Sequence, residues 1–232
     1  MKIFHPDTKE PTGRMLTPNF SFEKKLWKRF GYVAGVDEVG RGSFAGPVVA
    51  GCVVFGSDLQ IPKNIKINDS KKLTPGQREK TNTWIKENSL SWGVGEISTS
   101  AINRLGMAKT TKMAFRKSIA QAKKRLGKRI DYLLIDAFFI PFVRGNPRDR
   151  QMAIIDGDEK SLSIAAASII AKVYRDKIML RLGKRPKFKK YGWGRNKGYG
   201  TKAHQSAIRK YGITRYHRKA FVKNFLPKAG PV

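Results

Sequence analysis

In a chain with 48 Lys and Arg against 17 Asp and Glu, carboxylates that close apolar runs are conspicuous. Asp37 and Glu38 end one such run at 32–37, Asp136 ends another at 132–135, and Asp158 follows a third at 152–155, just before a helical stretch. Each run is short, apolar and partly β-branched, the pattern of a strand. Reactive groups in α/β sheets gather at the carboxyl ends of strands, where the loops leave room for a ligand. Four carboxylates brought to one such edge repel each other, and some of their pKa values rise unless cations intervene. An all-oxygen ligand set suits magnesium or manganese and not zinc. Two such ions roughly 4 Å apart can activate a water and stabilise the leaving oxygen in phosphodiester cleavage. A plainer reading stays open. An Asp-Glu pair at a strand end is commonly a solvated turn, with its side chains on opposite faces. An Asp before a helix is commonly a cap, and Asp149, Asp156 and Asp176 fit that description. Spacing does not choose between the two.

The elements that must position these groups are legible as an alternation of apolar runs. Further strands are predicted at 48–55 and 92–97, and helices at 20–30, 75–87, 100–126 with an interruption at Gly106, and from Lys160 onward. Thr74-Pro75 is a strong helix start, with Thr as N-cap and Pro in the first turn. Strands first, then helices alternating with strands, predict a mixed α/β sheet with helices packed on it. With 232 residues the chain fits one sizeable domain. Composition divides it into an irregular Pro-containing lead-in at 1–18, a main domain at 19–182 and a basic C-terminal segment at 183–232.

Charge points to the partner. The formal net charge is +31, which works against compactness and calls for a polyanion. Between Lys172 and Lys228 there are 19 Lys and Arg against the single acid Asp176. Phe188, Tyr191, Trp193, Tyr199, Tyr211, Tyr216 and Phe221 interleave with them, a pattern that favours a nucleic-acid surface. No basic amphipathic helix with an aromatic face suggests a lipid surface, and no apolar run is long enough to span a bilayer. Cys52, the only cysteine, is read as a small buried apolar residue, and the opening residues lack the apolar stretch of a signal peptide. An intracellular, cytoplasmic protein is expected, associated with the nucleoid through its substrate and monomeric by default. Composition alone supports a non-catalytic nucleic-acid or ribosome-binding protein equally well.

Residue order narrows this. GVDEVGRGSFAGPVVAG at 35–51 resembles the signature of the ribonuclease HII family. NDSKKLT at 68–74, LLIDA at 133–137, GDEKSLSIAAASIIAKVYRD at 157–176 and NKGYGTKAHQSAI at 196–208 with a later His217-Arg218 match the same family in the same order. The resemblance covers about residues 30–221, nearly the whole folded chain. It implies a ribonuclease H-like α/β fold, a mixed central sheet flanked by helices, with a small basic, mostly helical C-terminal segment that helps to clamp a duplex. The related type HIII enzymes carry an additional N-terminal domain, whereas about 30 residues precede the first strand here.

The same resemblance implies that Asp37, Glu38, Asp136 and Asp158 bind two Mg2+ or Mn2+ ions, with Asp37 shared. It implies that the loop Gly40, Arg41 and Gly42 reads a ribose 2′-hydroxyl, and that Tyr199 stacks on the sugar of the following deoxynucleotide. Lys72, Lys160 and Ser161 become candidate phosphate contacts, with Ser161 equally readable as a helix N-cap. His204 and His217 are read as structural or phosphate-adjacent. The expected substrates are RNA/DNA hybrids and duplex DNA carrying a ribonucleotide. Two departures stand out: Ser43-Phe44 where the family more usually has Pro-Leu, and Ala220 where serine is common.

Overall fold

A computed structural model describes residues 17–226, so most of the lead-in expected at 1–18 lies outside the described residues, as do the last six positions of the basic segment. In chain order the elements are α1 (Ser21–Trp27), β1 (Val33–Val39), β2 (Val48–Val54), α2 (Pro75–Asn88), β3 (Ser91–Ile97), α3 (Thr99–Leu105), α4 (Met107–Leu126), β4 (Tyr132–Asp136), β5 (Gln151–Ile154), α5 (Gly157–Lys160) and α6 (Leu162–Lys184). The short helices α7 (Pro186–Lys189) and α8 (Trp193–Asn196) follow, then α9 (Lys202–Tyr211) and α10 (Lys219–Val222). The strands form one sheet in the order β3-β2-β1-β4-β5. β1 runs antiparallel to β2 and parallel to β4, and β4 runs parallel to β5, so the sheet is mixed.

Helices cover both faces. On one, Ala34, Val36, Ala50, Cys52, Leu133 and Ile135 meet Phe115 and Ile119 of α4, each large side chain contributing about 1.5–3 kcal/mol by its burial. On the other, α6 crosses β1 and β2 with a stripe of small residues. It comes so close that a Cβ on Gly35 would land on the backbone of Ser163, and one on Gly51 on that of Ala167. That is why β1 and β2 carry glycine at these positions.

Expected boundaries shift in ways that matter. β1 continues to Val39, which puts Asp37 and Glu38 inside the strand instead of at its end. α2 starts at the predicted point, where Thr74 and Gln77 form a reciprocal capping box. Gly106, with φ 78°, separates α3 from α4 as anticipated. The helix predicted from Lys160 is α6, which starts at Leu162 after its N-cap Ser161 and is preceded by the four-residue α5. α6 runs through the compositional boundary at 182, and Met179 and Leu182 share a core with Ala45, Phe188, Tyr191 and Trp193. The basic segment is thereby continuous with the sheet domain.

Candidate active site

The register of the parallel strands assembles the carboxylates. Val36 pairs with Ile135, so Asp37 and Asp136 are the next residues along adjacent strands. Strand alternation sends Asp37 to the α6 face with Gly35, and Asp136 to the same face with Leu134; Leu134 packs with Ile164 of α6. β5 brings in the last group. After Ile154 the chain turns through Asp156, held at φ 53°, into α5, where Asp158 is the second residue. Asp136 Oδ1 accepts the Gly157 N–H at 2.8 Å and pins that turn. Ala137 is also left-handed, with φ 62°. Two non-glycine residues in this conformation next to the acidic edge are local strain of the kind that collects at functional sites. Glu38, the next residue of β1, meets Arg41 Nη1 with its Oε1 at 3.2 Å, while its Oε2 is buried without a hydrogen-bond partner.

Electrostatics show what this arrangement lacks. Burial, reinforced by Glu38, Asp136 and Asp158, pushes the Asp37 carboxyl well above the ordinary range, against a hydrogen bond from Ser168. Burial raises Glu38 despite Arg41, and raises Asp136 despite the Gly157 amide. Asp158 is pushed up to about 6, chiefly by burial and against the pull of Lys71. Carboxylates gathered at such a cost are ones that a cation would relieve. The donors are all oxygen, and one buried Glu38 oxygen is free to ligate, so the residues fit a hard divalent ion. Among the described residues, no three metal-ligating side chains converge tightly enough to define an ion position unaided. Magnesium and manganese suit such a site because these ions keep waters and complete their shells with substrate phosphates.

The surrounding contacts add a residue that the sequence did not single out. Lys71 reaches the carboxylates: its Nζ lies 3.6 Å from both Asp69 Oδ1 and Asp158 Oδ2. Partial burial lowers its pKa, but Asp158, Asp69 and Asp37 outweigh that and leave it raised. Lys72 instead pairs with Glu159 at 2.7 Å, and Lys160, the last residue of α5, is half-buried. Ser161 takes the N-cap role at the start of α6. It is fully buried, receives the Ile164 amide at 3.2 Å and donates to Glu23 Oε1 at 2.6 Å. Ser168, which the sequence reading passed over, joins Ser70 at 3.1 Å beneath Asp37; only its place in the GDEKSLSIAAAS block offered a clue.

The Gly-Arg-Gly loop is held from behind. Gly40 has φ 92°, and a Cβ there would strike the Arg175 side chain, whereas one on Gly42 would meet open space. Arg175 and Arg218 are fully buried. Arg175 donates to the carbonyls of Pro47, Ala45 and Lys197, each at 3.0 Å. Arg218 donates to Gly40 at 2.6 Å, Arg41 at 2.8 Å, Gly46 at 2.9 and 3.0 Å, and Pro47 at 3.0 Å. Tyr199 is half-buried, with Lys172 and Arg175 at 5.5 and 5.3 Å from its ring centre. These two arginines of the basic 172–228 run thus face carbonyls and not solvent, and Phe188, Tyr191 and Trp193 of the same run are buried in the C-terminal core. His204 and His217 lie in that core too, with their Nε2 atoms 3.1 Å apart. Phe44, at the departure from the family pattern, packs against Phe225 and His204.

The fold is shared with the ribonuclease H2 of Pyrococcus horikoshii OT3, at a TM-score of 0.66 and 24% identity over 84% of this chain and 96% of that one. It is also shared with Bst ribonuclease HIII solved in complex with Mn2+, at a TM-score of 0.65 and 21% identity over 85% and 70%. The shared architecture is the ribonuclease H-like fold, a mixed sheet flanked by helices, here with an acidic strand edge. The family model for Ribonuclease HII matches residues 34–224. The Ribonuclease HII of Caldanaerobacter subterraneus subsp. tengcongensis is 43% identical over 206 residues, 88% of this chain and 80% of that protein. The chain belongs to the ribonuclease HII family. Among the described residues, no helix is long and apolar enough to cross a membrane.

Proposed function

We propose that the protein cuts the RNA strand of RNA/DNA hybrids and nicks duplex DNA on the 5′ side of a single embedded ribonucleotide, leaving 3′-hydroxyl and 5′-phosphate ends. The observation that supports this most is the meeting of Asp37 and Asp136 on one face of the sheet, with Asp158 close enough to raise the Asp37 carboxyl. Two Mg2+ or Mn2+ ions held by Asp37, Glu38, Asp136 and Asp158, with Asp37 shared, would activate water and stabilise the leaving oxygen.

The chain's own groups bind and orient. Gly42, open to approach, and Arg41, half-exposed beside Glu38, form the surface that reads the 2′-hydroxyl, the group by which RNA differs from DNA. Tyr199, with Lys172 and Arg175 of α6 near its ring, offers that ring to the next deoxyribose, which favours an RNA-to-DNA junction. Lys71 exchanges Asp158 for a phosphate oxygen as substrate arrives, with Lys72 and Lys160 as further phosphate contacts. The protein acts as a monomer in the cytoplasm.

The test is a duplex with one ribonucleotide, incubated with magnesium or manganese, for which a nick 5′ of that residue is expected. No nick with either ion, from folded protein that still binds the duplex, would overturn the reading in favour of a non-catalytic binding protein. Asp37→Asn should abolish cutting and leave most binding, because phosphate contacts carry the affinity. Tyr199→Ala should lose junction preference more than hybrid cleavage.

A further inference from the structure

The loop between β4 and β5 has an unusual construction. Its inner residues Ile140, Val143 and Asn146 are buried, and its backbone is stapled. Gln151 accepts from the Ile140 amide at 2.9 Å and donates to the carbonyls of Ile140 at 2.9 Å and Asn146 at 2.8 Å. Asn146 donates to Ile130 at 3.0 Å, Lys123 to Asn146 at 2.7 Å, and Arg116 to the Pro141 carbonyl at 3.0 Å. On this fixed frame Phe142 stands with φ 57° and 92% of its surface exposed. A left-handed phenylalanine is strained, and a solvated one gains nothing from burial. The fold therefore holds an aromatic ring in water at a defined place, at a cost on both counts.

The surroundings identify what the ring is for. Exposed Arg144 and Arg148 flank it, with Arg148 over the Phe139 ring, and Arg116, Lys123 and Arg129 line the groove beside it. Nearby acids are few: Asp131, already paired with Arg129 at 3.5 Å, and Asp149. The loop starts one residue after Asp136, and Arg41 lies 5.3 Å from the ring centre of Phe138 near its start. From there the loop runs back along the sheet to the other end of β4, where Asn146 meets Ile130, with Phe142 partway along it. An exposed ring among guanidinium groups suits a base with its phosphate: the base stacks and the cations hold the backbone. Bases inside a duplex already have stacking partners, so the free ring selects unpaired ones.

We propose that the 138–148 loop is a second nucleic-acid contact, which takes an unpaired nucleotide of a single-stranded tail continuing from the duplex in the cleft, with Phe142 stacking on its base and Arg144 and Arg148 on its phosphates. This rests on the nuclease reading above and extends it to the structure of the substrate: hybrid regions that run into single strands are bound in preference to blunt ones.

The test uses the full chain in chelator, binding a short RNA/DNA duplex either blunt or with a single-stranded tail that carries 2-aminopurine. A tail should tighten binding roughly tenfold, the size of one base–aromatic stack, and quench the fluorophore. Phe142→Ala should lose the gain and the quench, Phe142→Trp should keep both, and Arg144→Ala should lower the salt slope by about one for the tailed substrate only. No tail advantage in the parent, or an equal one in Phe142→Ala, overturns the proposal. So does a parent that elutes as a dimer and a Phe142→Ala variant that elutes as a monomer, which would assign the ring to a contact between copies. Blunt-duplex cleavage with magnesium, measured alongside, separates the two readings: parent and Phe142→Ala should cut it equally, and failure of both would refute the nuclease reading independently of the tail.

Discussion

Acid should loosen the C-terminal part of this protein through one pair of histidines. Thr214 donates its amide to His217 Nδ1 at 2.9 Å, so the His217 proton sits on Nε2 and points at His204 Nε2, 3.1 Å away. His204 Nε2 also receives the Trp193 indole N–H at 3.1 Å, which leaves the His204 proton on Nδ1, donating to the Tyr199 carbonyl at 2.9 Å. Every position in this relay is filled with both rings neutral, and a proton added to either ring would face an N–H. The groups against His217 are Tyr191, Trp193 and His204, none of them anionic. Burial, and then His204, lower the His217 pKa from 6.5 to about 4. A depressed base takes up its proton more readily unfolded than folded. The associated stability is therefore present above pH 6.5 and is lost as pH falls from there toward 4. The whole shift corresponds to about 3 kcal/mol at 1.36 kcal/mol per unit, and between pH 7 and 5 about 2 kcal/mol of it is lost. For a domain of this size that is a fall of roughly 4–8 °C in Tm. His217→Gln keeps a donor and an acceptor but does not titrate. Melting both proteins in chelator at pH 7 and 5 cancels the carboxylates they share, and the parent should lose more stability than the variant by that margin. Equal losses in the two proteins would refute the reasoning.

Asp158→Asn should stabilise the metal-free protein at pH 7. Its carboxyl is raised from 3.8 to about 6, so the folded state loses stability as pH climbs through that interval; the ceiling of about 3 kcal/mol shrinks to about 1 kcal/mol beside solvent-exposed Lys71, and a variant less stable than the parent at pH 7 would contradict this. Arg218→Lys should cost about 3 kcal/mol in denaturant unfolding and raise KM more than it lowers kcat, because an ammonium lacks the planar fork that binds the loop carbonyls; unchanged KM would mean that the loop holds its shape without it. Gly35→Ala should cost at least about 3 kcal/mol or prevent folding, since its Cβ meets backbone and not a movable side chain, and a soluble variant with parental Tm would show that α6 can move away from β1.

The sequence carried the sheet, most helices and the acidic edge because these are local patterns: apolar runs, a Thr-Pro start, a glycine interruption. It could not carry register. Whether Asp37 and Asp136 share a face depends on Val36 pairing with Ile135, a contact across 99 residues of chain. The role of Lys71 escaped for a similar reason. Lys71 and Lys72 occupy one turn, and only the packing of that turn against α5 shows which of them faces Asp158 and which faces Glu159. Ser161 was open between two roles until α1 brought Glu23 against it. The largest misreading was of charge. A count of cations cannot distinguish an arginine in water from one threaded among carbonyls, so Arg175 and Arg218 entered the same sum as surface lysines.

That misreading bears on how the site is built. A chain at +31 repels itself, and burying two guanidinium groups close to each other adds to the difficulty, as the lowering of Arg218 to about 9 by burial and by Arg175 attests. Apolar side chains could fill the same volume, but they could not hold carbonyls of the 40–47 segment in place. Phe44 and Ala45 both donate their amides to the Gly198 carbonyl, at 2.8 and 3.1 Å, and Gly46 donates to the Tyr216 carbonyl at 2.9 Å. The loop that follows β1 is therefore shaped by residues from near the other end of the chain, and its geometry exists only when α6 and the segment beyond it have docked. Under the proposed function, substrate reading and duplex clamping are one structure. The buried arginines join them, and the neutral histidine relay, which ends on the carbonyl of Tyr199, keeps the far side of that joint in register.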